Sequence, residues 1–112
     1  MFFNFKKPVS SISMREAERE LASDKSIYLL DVRTGEEFAS GHIPGSINLP
    51  LDRIAGVVQA IPEKDARIFV YCHSGARSFQ ACMMMERLGY TDVTNIGGIM
   101  QWRGKLERKV GA

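Results

Sequence analysis

Two apolar runs do most to limit what this chain can become. Ile27-Tyr28-Leu29-Leu30-Asp31-Val32 and Ile68-Phe69-Val70-Tyr71 are short, rich in strand formers and lack the polar alternation of a half-exposed strand. Each predicts a strand covered on both faces, the situation of a strand inside a parallel sheet. Parallel neighbours need crossover connections, usually helices, and the intervening sequence supplies them. Ser13-Met14-Arg15-Glu16 has a capping-box pattern ahead of Ala17, Leu21 and Ala22, which predicts a helix over about 14–23. Leu51, Ile54, Val57, Val58 and Ile61 recur at helical spacing before Pro62, and a further helix over about 77–88 ends at Gly89.

Shorter elements fill the gaps. Val9 to Ile12, Ser46 to Leu49 and Asp92 to Ile96 read as strands, and Gly35 to Ala39 as a short helix ahead of the turn-rich Gly41-His42-Ile43-Pro44-Gly45. Gly97-Gly98 reads as a flexible loop and Ile99 to about Leu106, with Trp102, as a last helix. The alternation predicts an α/β domain with a mainly parallel sheet and helices on both faces. Its ligand site would then lie beyond the carboxyl ends of the strands, where Asp31, Arg33, Cys72 and Gly97 fall.

The second apolar run ends at Cys72-His73-Ser74-Gly75-Ala76-Arg77-Ser78, so a cysteine stands where a strand stops and a helix starts. The amides of residues 73 to 77 lack helical partners there and can converge on the sulfur, while the helix dipole favours its charge. A free thiol titrates near ~8.5, and helix-start cysteines drop by one to several units. Cys72 is therefore the candidate nucleophile; the alternative is a cysteine that merely packs at the strand end.

The 112 residues fit one domain, with about 1–8 as an N-terminal extension and about 107–112 as a tail, and leave no room for a second catalytic domain. A hydrophobic share of 45% and a charged share of 25% are those of a soluble globular protein, and a net charge of +2 is too small to imply a nucleic-acid partner. Cys72 and Cys82 do not form a Cys-x-x-Cys redox motif, and both are expected to be reduced in a cytoplasmic protein. With His42 and His73 they form no zinc spacing, so no metal is expected. Phe2, Phe3 and Phe5 precede the charges at Lys6 and Lys7, which is neither a signal peptide nor a membrane span; they are expected to cover a hydrophobic edge or a dimer contact.

The motifs together resemble the single-domain rhodaneses, a family of sulfurtransferases. The resemblance rests on Asp31-Val32-Arg33 with Glu37-Phe38, on the run from Gly41 to Pro50, on Cys72-x-x-Gly75-x-Arg77-Ser78, and on Gly97-Gly98 with Trp102. It covers nearly the whole chain and implies a three-layer α/β/α fold around a five-stranded sheet. It also implies a cofactor-free double displacement: Cys72 takes a sulfane sulfur from thiosulfate or a persulfide donor, then passes it to cyanide or to a thiol such as glutathione, thioredoxin or a protein thiol. The amides of residues 73 to 77 would hold the outer sulfur, and Gly75 would let the loop curl. Phosphatases and arsenate reductases of this fold resemble it too, but have one residue more between cysteine and arginine than the His73, Ser74, Gly75 and Ala76 found here, a wider cradle for an oxyanion. A module that only carries a persulfide to one protein partner is the other alternative. No membrane partner is expected, and the chain is expected to be a monomer or weak homodimer.

Other residues follow from the same reading. Arg33 and Glu37 are expected to form a local ion pair, and Asp31 to orient backbone amides near the loop. Arg77 either attracts an anionic donor or forms an ion pair on the first helical turn. His73 is expected on the rim, since a thiolate stabilised by amides needs no base. His42 would anchor the Gly41 to Gly45 turn. Cys82, about 15 Å along the helix axis from Cys72 at the usual rise, is expected to be structural, as are Met83 to Met85. Arg103, Lys105, Arg108 and Lys109 read as a solvated tail, with docking to an acidic partner as the alternative.

Overall fold

The computed structural model describes residues 8–109. Five parallel strands, β1 (Ser10–Ser11), β2 (Tyr28–Asp31), β3 (Ile47–Asn48), β4 (Ile68–Cys72) and β5 (Val93–Gly98), lie in the order β1-β5-β4-β2-β3. The connections carry α1 (Met14–Ser23), α2 (Gly35–Ser40), α3 (Val57–Ala60), which continues a 3₁₀ stretch over Leu51–Gly56, and α4 (Ala76–Arg87).

β4 is buried at all five positions, and its pleat sorts side chains into two cores. Ile68, Val70 and Cys72 face one side, packed with Val57 and Ile61 of the α3 segment and Ala81, Cys82 and Met85 of α4. Phe69 and Tyr71 face the other, with Met14 and Ala17 of α1. The period of two is why one strand can serve both layers, and it sends the last residue, Cys72, toward α4.

Strand order also fixes where a site can form. The chain passes from β2 outward to β3, then returns to the opposite flank of β2 as β4, so the direction of winding reverses between β2 and β4. A crevice opens outside the carboxyl ends at such a switch point. Asp31 ends β2 and Cys72 ends β4 there.

Two expectations at the C-terminal end need correction. Gly97-Gly98 is no loop: these residues extend β5, pairing with Tyr71 and Cys72 across a register shift in β4. The last helix is a single 3₁₀ turn, Ile99–Gln101, after which Trp102 is extended. The chain then turns back under its own indole, which donates to the Lys105 carbonyl at 3.0 Å. Glu107 forms an antiparallel bridge with His42, and Lys109 donates to Ala39, so backbone pairing competes successfully with helix there. The Phe-rich opening residues, 1–7, lie outside the described residues. No helix among the described residues is long and apolar enough to cross a membrane.

Candidate active site

Cys72 is 1% exposed, at the floor of a cradle made by the seven-residue segment that it opens. Gly75 adopts φ +109°, open to glycine without side-chain strain, and so lets the chain reverse directly above the sulfur. Its amide donates to Sγ at 3.0 Å, and the Ser78 hydroxyl lies 3.5 Å away. Burial pushes the Cys72 thiol up, but the Ser78 hydroxyl and the amides of Ser78, Gly75 and Ser74 outweigh it, and the thiol lies below its ordinary range. The Gly75 amide hydrogen-bonds the sulfur, and the amides of Ser74 and Ser78 add to its lowered pKa. Helix α4 starts at Ala76, one residue earlier than expected.

The cradle is held from across the sheet. Asn95 of β5 accepts from the Ser78 hydroxyl at 2.7 Å and from the Gly97 amide at 3.0 Å, and donates to the Gly75 carbonyl at 3.2 Å. One side chain therefore fixes both ends of the reversal and the strand beside it. Asn95 carried no signal in the sequence, because its partners are up to 20 residues distant. Gly98, in register with Cys72, has a different reason to be glycine: a Cβ there would collide with the His73 carbonyl and come within 2.6 Å of Ser74 Cα.

Arg33 and Glu37 do not pair. Arg33, buried, forms a bidentate bridge to the fully buried Asp31, 2.7 Å at its shortest, and donates to the Gly41 carbonyl at 2.7 Å. Burial disfavours the guanidinium charge, but Asp31 overcomes this and raises the Arg33 pKa. Asp31 does accept a backbone amide, that of Arg33 itself at 2.9 Å, and not one from the loop. Asn48 donates to the carbonyls of both residues, so this cluster stiffens the end of β2 beneath the site.

Glu37 instead meets Arg77, at 2.8 and 3.1 Å. The Arg77 hydrogen bonds outweigh burial, and with help from Thr34 hold the Glu37 carboxyl down to about 2. Thr34 and Glu37 also form a full capping box on α2, a pattern legible as Thr-x-x-Glu yet not drawn from the sequence. Of the two roles open to Arg77, the structure shows the ion pair.

His73 is exposed on the rim, as are Ser74 and Ala76. His42 anchors its turn by donating from Nδ1 to the Phe38 carbonyl at 2.8 Å while stacking on the Phe38 ring. Cys82 is wholly enclosed, and burial, aided by Glu86, pushes its thiol up to about 12. No group of His, Cys, Asp and Glu suited to a metal occurs among the described residues. The arrangement can stabilise a thiolate and one negatively charged atom attached to it.

A model of the rhodanese-like domain matches residues 13–105. The chain is 40% identical over 95 residues to a sulfurtransferase of Allochromatium vinosum, covering 84% of this chain and 88% of that one. It is 32% identical over 112 residues to the human thiosulfate:glutathione sulfurtransferase, covering 88% and 95%. The crystal structure of a rhodanese-like domain protein from Staphylococcus aureus superposes with a TM-score of 0.81 at 32% identity, over 90% of this chain and 99% of that one.

Proposed function

The chain belongs to the rhodanese-like family, and from that premise we propose that it is a sulfurtransferase in which Cys72 carries the sulfur as a persulfide, loaded by thiosulfate or a persulfide and discharged to cyanide or a thiol. The observation that carries this reading is the enclosed Cys72 sulfur with its amide and hydroxyl donors and its lowered pKa. In the first half-reaction the Cys72 thiolate attacks the outer sulfur of thiosulfate. A sulfur–sulfur bond forms, the bond to the sulfonate sulfur breaks, and sulfite leaves with its electron pair. The terminal sulfur now bears the negative charge, and donors fixed before the reaction stabilise it without reorganising.

In the second half-reaction the acceptor attacks that terminal sulfur, and Cys72 departs as a thiolate stabilised by the same donors. No outside oxidant or reductant enters the cycle. Ser74, Gly75 and Ser78 hold the sulfur, Asn95 holds the loop, and Asp31 with Arg33 supports the strand end. Glu37 neutralises Arg77, so the loop amides and the start of α4 supply the favourable potential for an anion. The short loop and the sulfurtransferase activity for which the human relative is named favour this reading over oxyanion chemistry.

The test is thiocyanate production from thiosulfate and cyanide by the wild type and by Cys72→Ser. Turnover that disappears in the variant is expected. Turnover that persists would overturn the role of Cys72, and a persulfide that forms but discharges only to one protein would assign the chain to carriage.

A further inference from the structure

An apolar groove of about 570 Å³ lies away from the Cys72 cradle, between α4 and the chain that leads into β1. Phe79 and Met83 of α4 line it together with Tyr90, Val9 and Pro8. Phe79 and Met83 are four apart and share one face of the helix, whereas Ala81, Cys82 and Met85 turn into the core. Phe79 is 45% exposed, so this face presents a contiguous apolar patch, the kind of surface that marks an interaction site. The rim carries one charge of each sign, Glu86 and Arg87, so apolar contact and not net charge decides what the groove takes.

An occupant of the right chemistry is attached to its wall. Pro8 lines the groove and is also where residues 1–7 join the described chain, and those seven include Phe2, Phe3 and Phe5. At up to ~3.5 Å per residue, Phe5 lies within ~10 Å of Pro8 and Phe3 within ~18 Å. The α4 side of the groove, from Phe79 to Arg87, is only ~12 Å long at the helical rise, so the segment can reach all of it. The volume is that of a small-molecule pocket and admits more than one aromatic ring.

We propose that this groove is the docking site of the chain's own N-terminal segment, with Phe3 and Phe5 inserted among Phe79, Met83 and Tyr90. Pro8 disfavours the α region at Lys7 and so favours an extended segment, in which residues two apart share a face. Phe3 and Phe5 then enter together, while Phe2 and Asn4 face away. The groove offers them aromatic pairs with Phe79 and Tyr90 and a sulfur contact with Met83. Covalent attachment holds the segment at an effective concentration on the order of mM, well above that of a second copy in dilute solution. The inference is independent of the persulfide reading of Cys72.

The experiment compares thermal melts of the full chain and its variants, a cooperative transition reporting that each is folded. Phe3→Ser with Phe5→Ser should lower the melting midpoint by about 5–10 °C and raise the fluorescence of an apolar dye, whereas Phe2→Ser should shift the midpoint by only ~1 °C. Met83→Ala should lower it by about 4 °C in the wild type but by ~1 °C beside the two phenylalanine substitutions, the coupling expected of side chains in contact. The wild-type midpoint should not depend on protein concentration. A midpoint that the double variant leaves unchanged, or shifts that simply add with that of Met83→Ala, overturn the proposal. A dimer that the double variant dissociates would make a second copy the occupant, and binding to phosphatidylcholine vesicles that the double variant loses would make it a membrane; either result also overturns the proposal.

Discussion

Cys72 and Cys82 stand ten positions apart, one at the end of β4 and one on α4, both enclosed in the same core, and their thiols move in opposite directions. Cys82 packs in the apolar core with Glu86 one helical turn along, and burial, then that like charge, raise its thiol to about 12. Cys72 is equally hidden from solvent, yet its thiol falls, because the Gly75 amide donates to it and the Ser78 hydroxyl and the Ser74 and Ser78 amides also favour the thiolate. Enclosure alone therefore does not decide what a cysteine can do. The donors do, and they exist at Cys72 because a strand end, a left-handed glycine and a helix start meet there.

Exchanging each sulfur for oxygen tests the comparison most severely. Cys72→Ser should lower sulfur transfer at least ~10³-fold without unfolding the protein, whereas Cys82→Ser should keep most of the activity, as read by thiocyanate formation. Alkylation should separate the two as widely. At neutral pH, iodoacetamide is expected to label Cys72 at least ~10³-fold faster than Cys82 in the folded protein, a difference that peptide mapping reads and that guanidinium should erase.

Smaller changes sharpen the account. Ser78→Ala removes the hydroxyl, whose one proton is shared between Asn95 at 2.7 Å and Sγ at 3.5 Å, and leaves the amides, so the midpoint of the Cys72 alkylation profile should rise by roughly half a pH unit, with about a threefold loss of turnover at pH 7 and no change at Cys82. Glu37→Gln should have the least effect. The pair with Arg77 is about one-third exposed, and after solvent screening its loss should cost about 0.5 kcal/mol in denaturant melts. Because the Glu37 carboxyl is depressed in the fold, from 4.5 to about 2, its contribution is present above pH 4.5 and disappears as pH falls through about 2. The wild-type advantage over Glu37→Gln should shrink across that window. Freeing Arg77 should also lower the thiosulfate KM about two- to threefold.

What could be read in the sequence was whatever lies contiguous within it. The buried strands around Leu30 and Val70 announce themselves by composition, and the segment from Cys72 to Ser78 carries its strand end, glycine and helix start in one stretch. Partners from afar were not legible. Asn95 reaches the loop only once β5 lies beside β4, and Arg77 finds Glu37 across 40 residues, although local spacing had suggested Arg33. Gly97-Gly98 illustrates the same limit. Two glycines in sequence read as flexibility, whereas in the fold Gly98 is demanded by a loop pressed against a strand and leaves no space for a side chain.

The most direct test of the central claim is the intact mass of the protein after thiosulfate alone, with no acceptor present, for the wild type and Cys72→Ser. The account predicts a gain of one sulfur atom on the wild type, mapped to Cys72 and absent from the variant. A wild type that gains nothing, or a variant that still gains a sulfur, would contradict it.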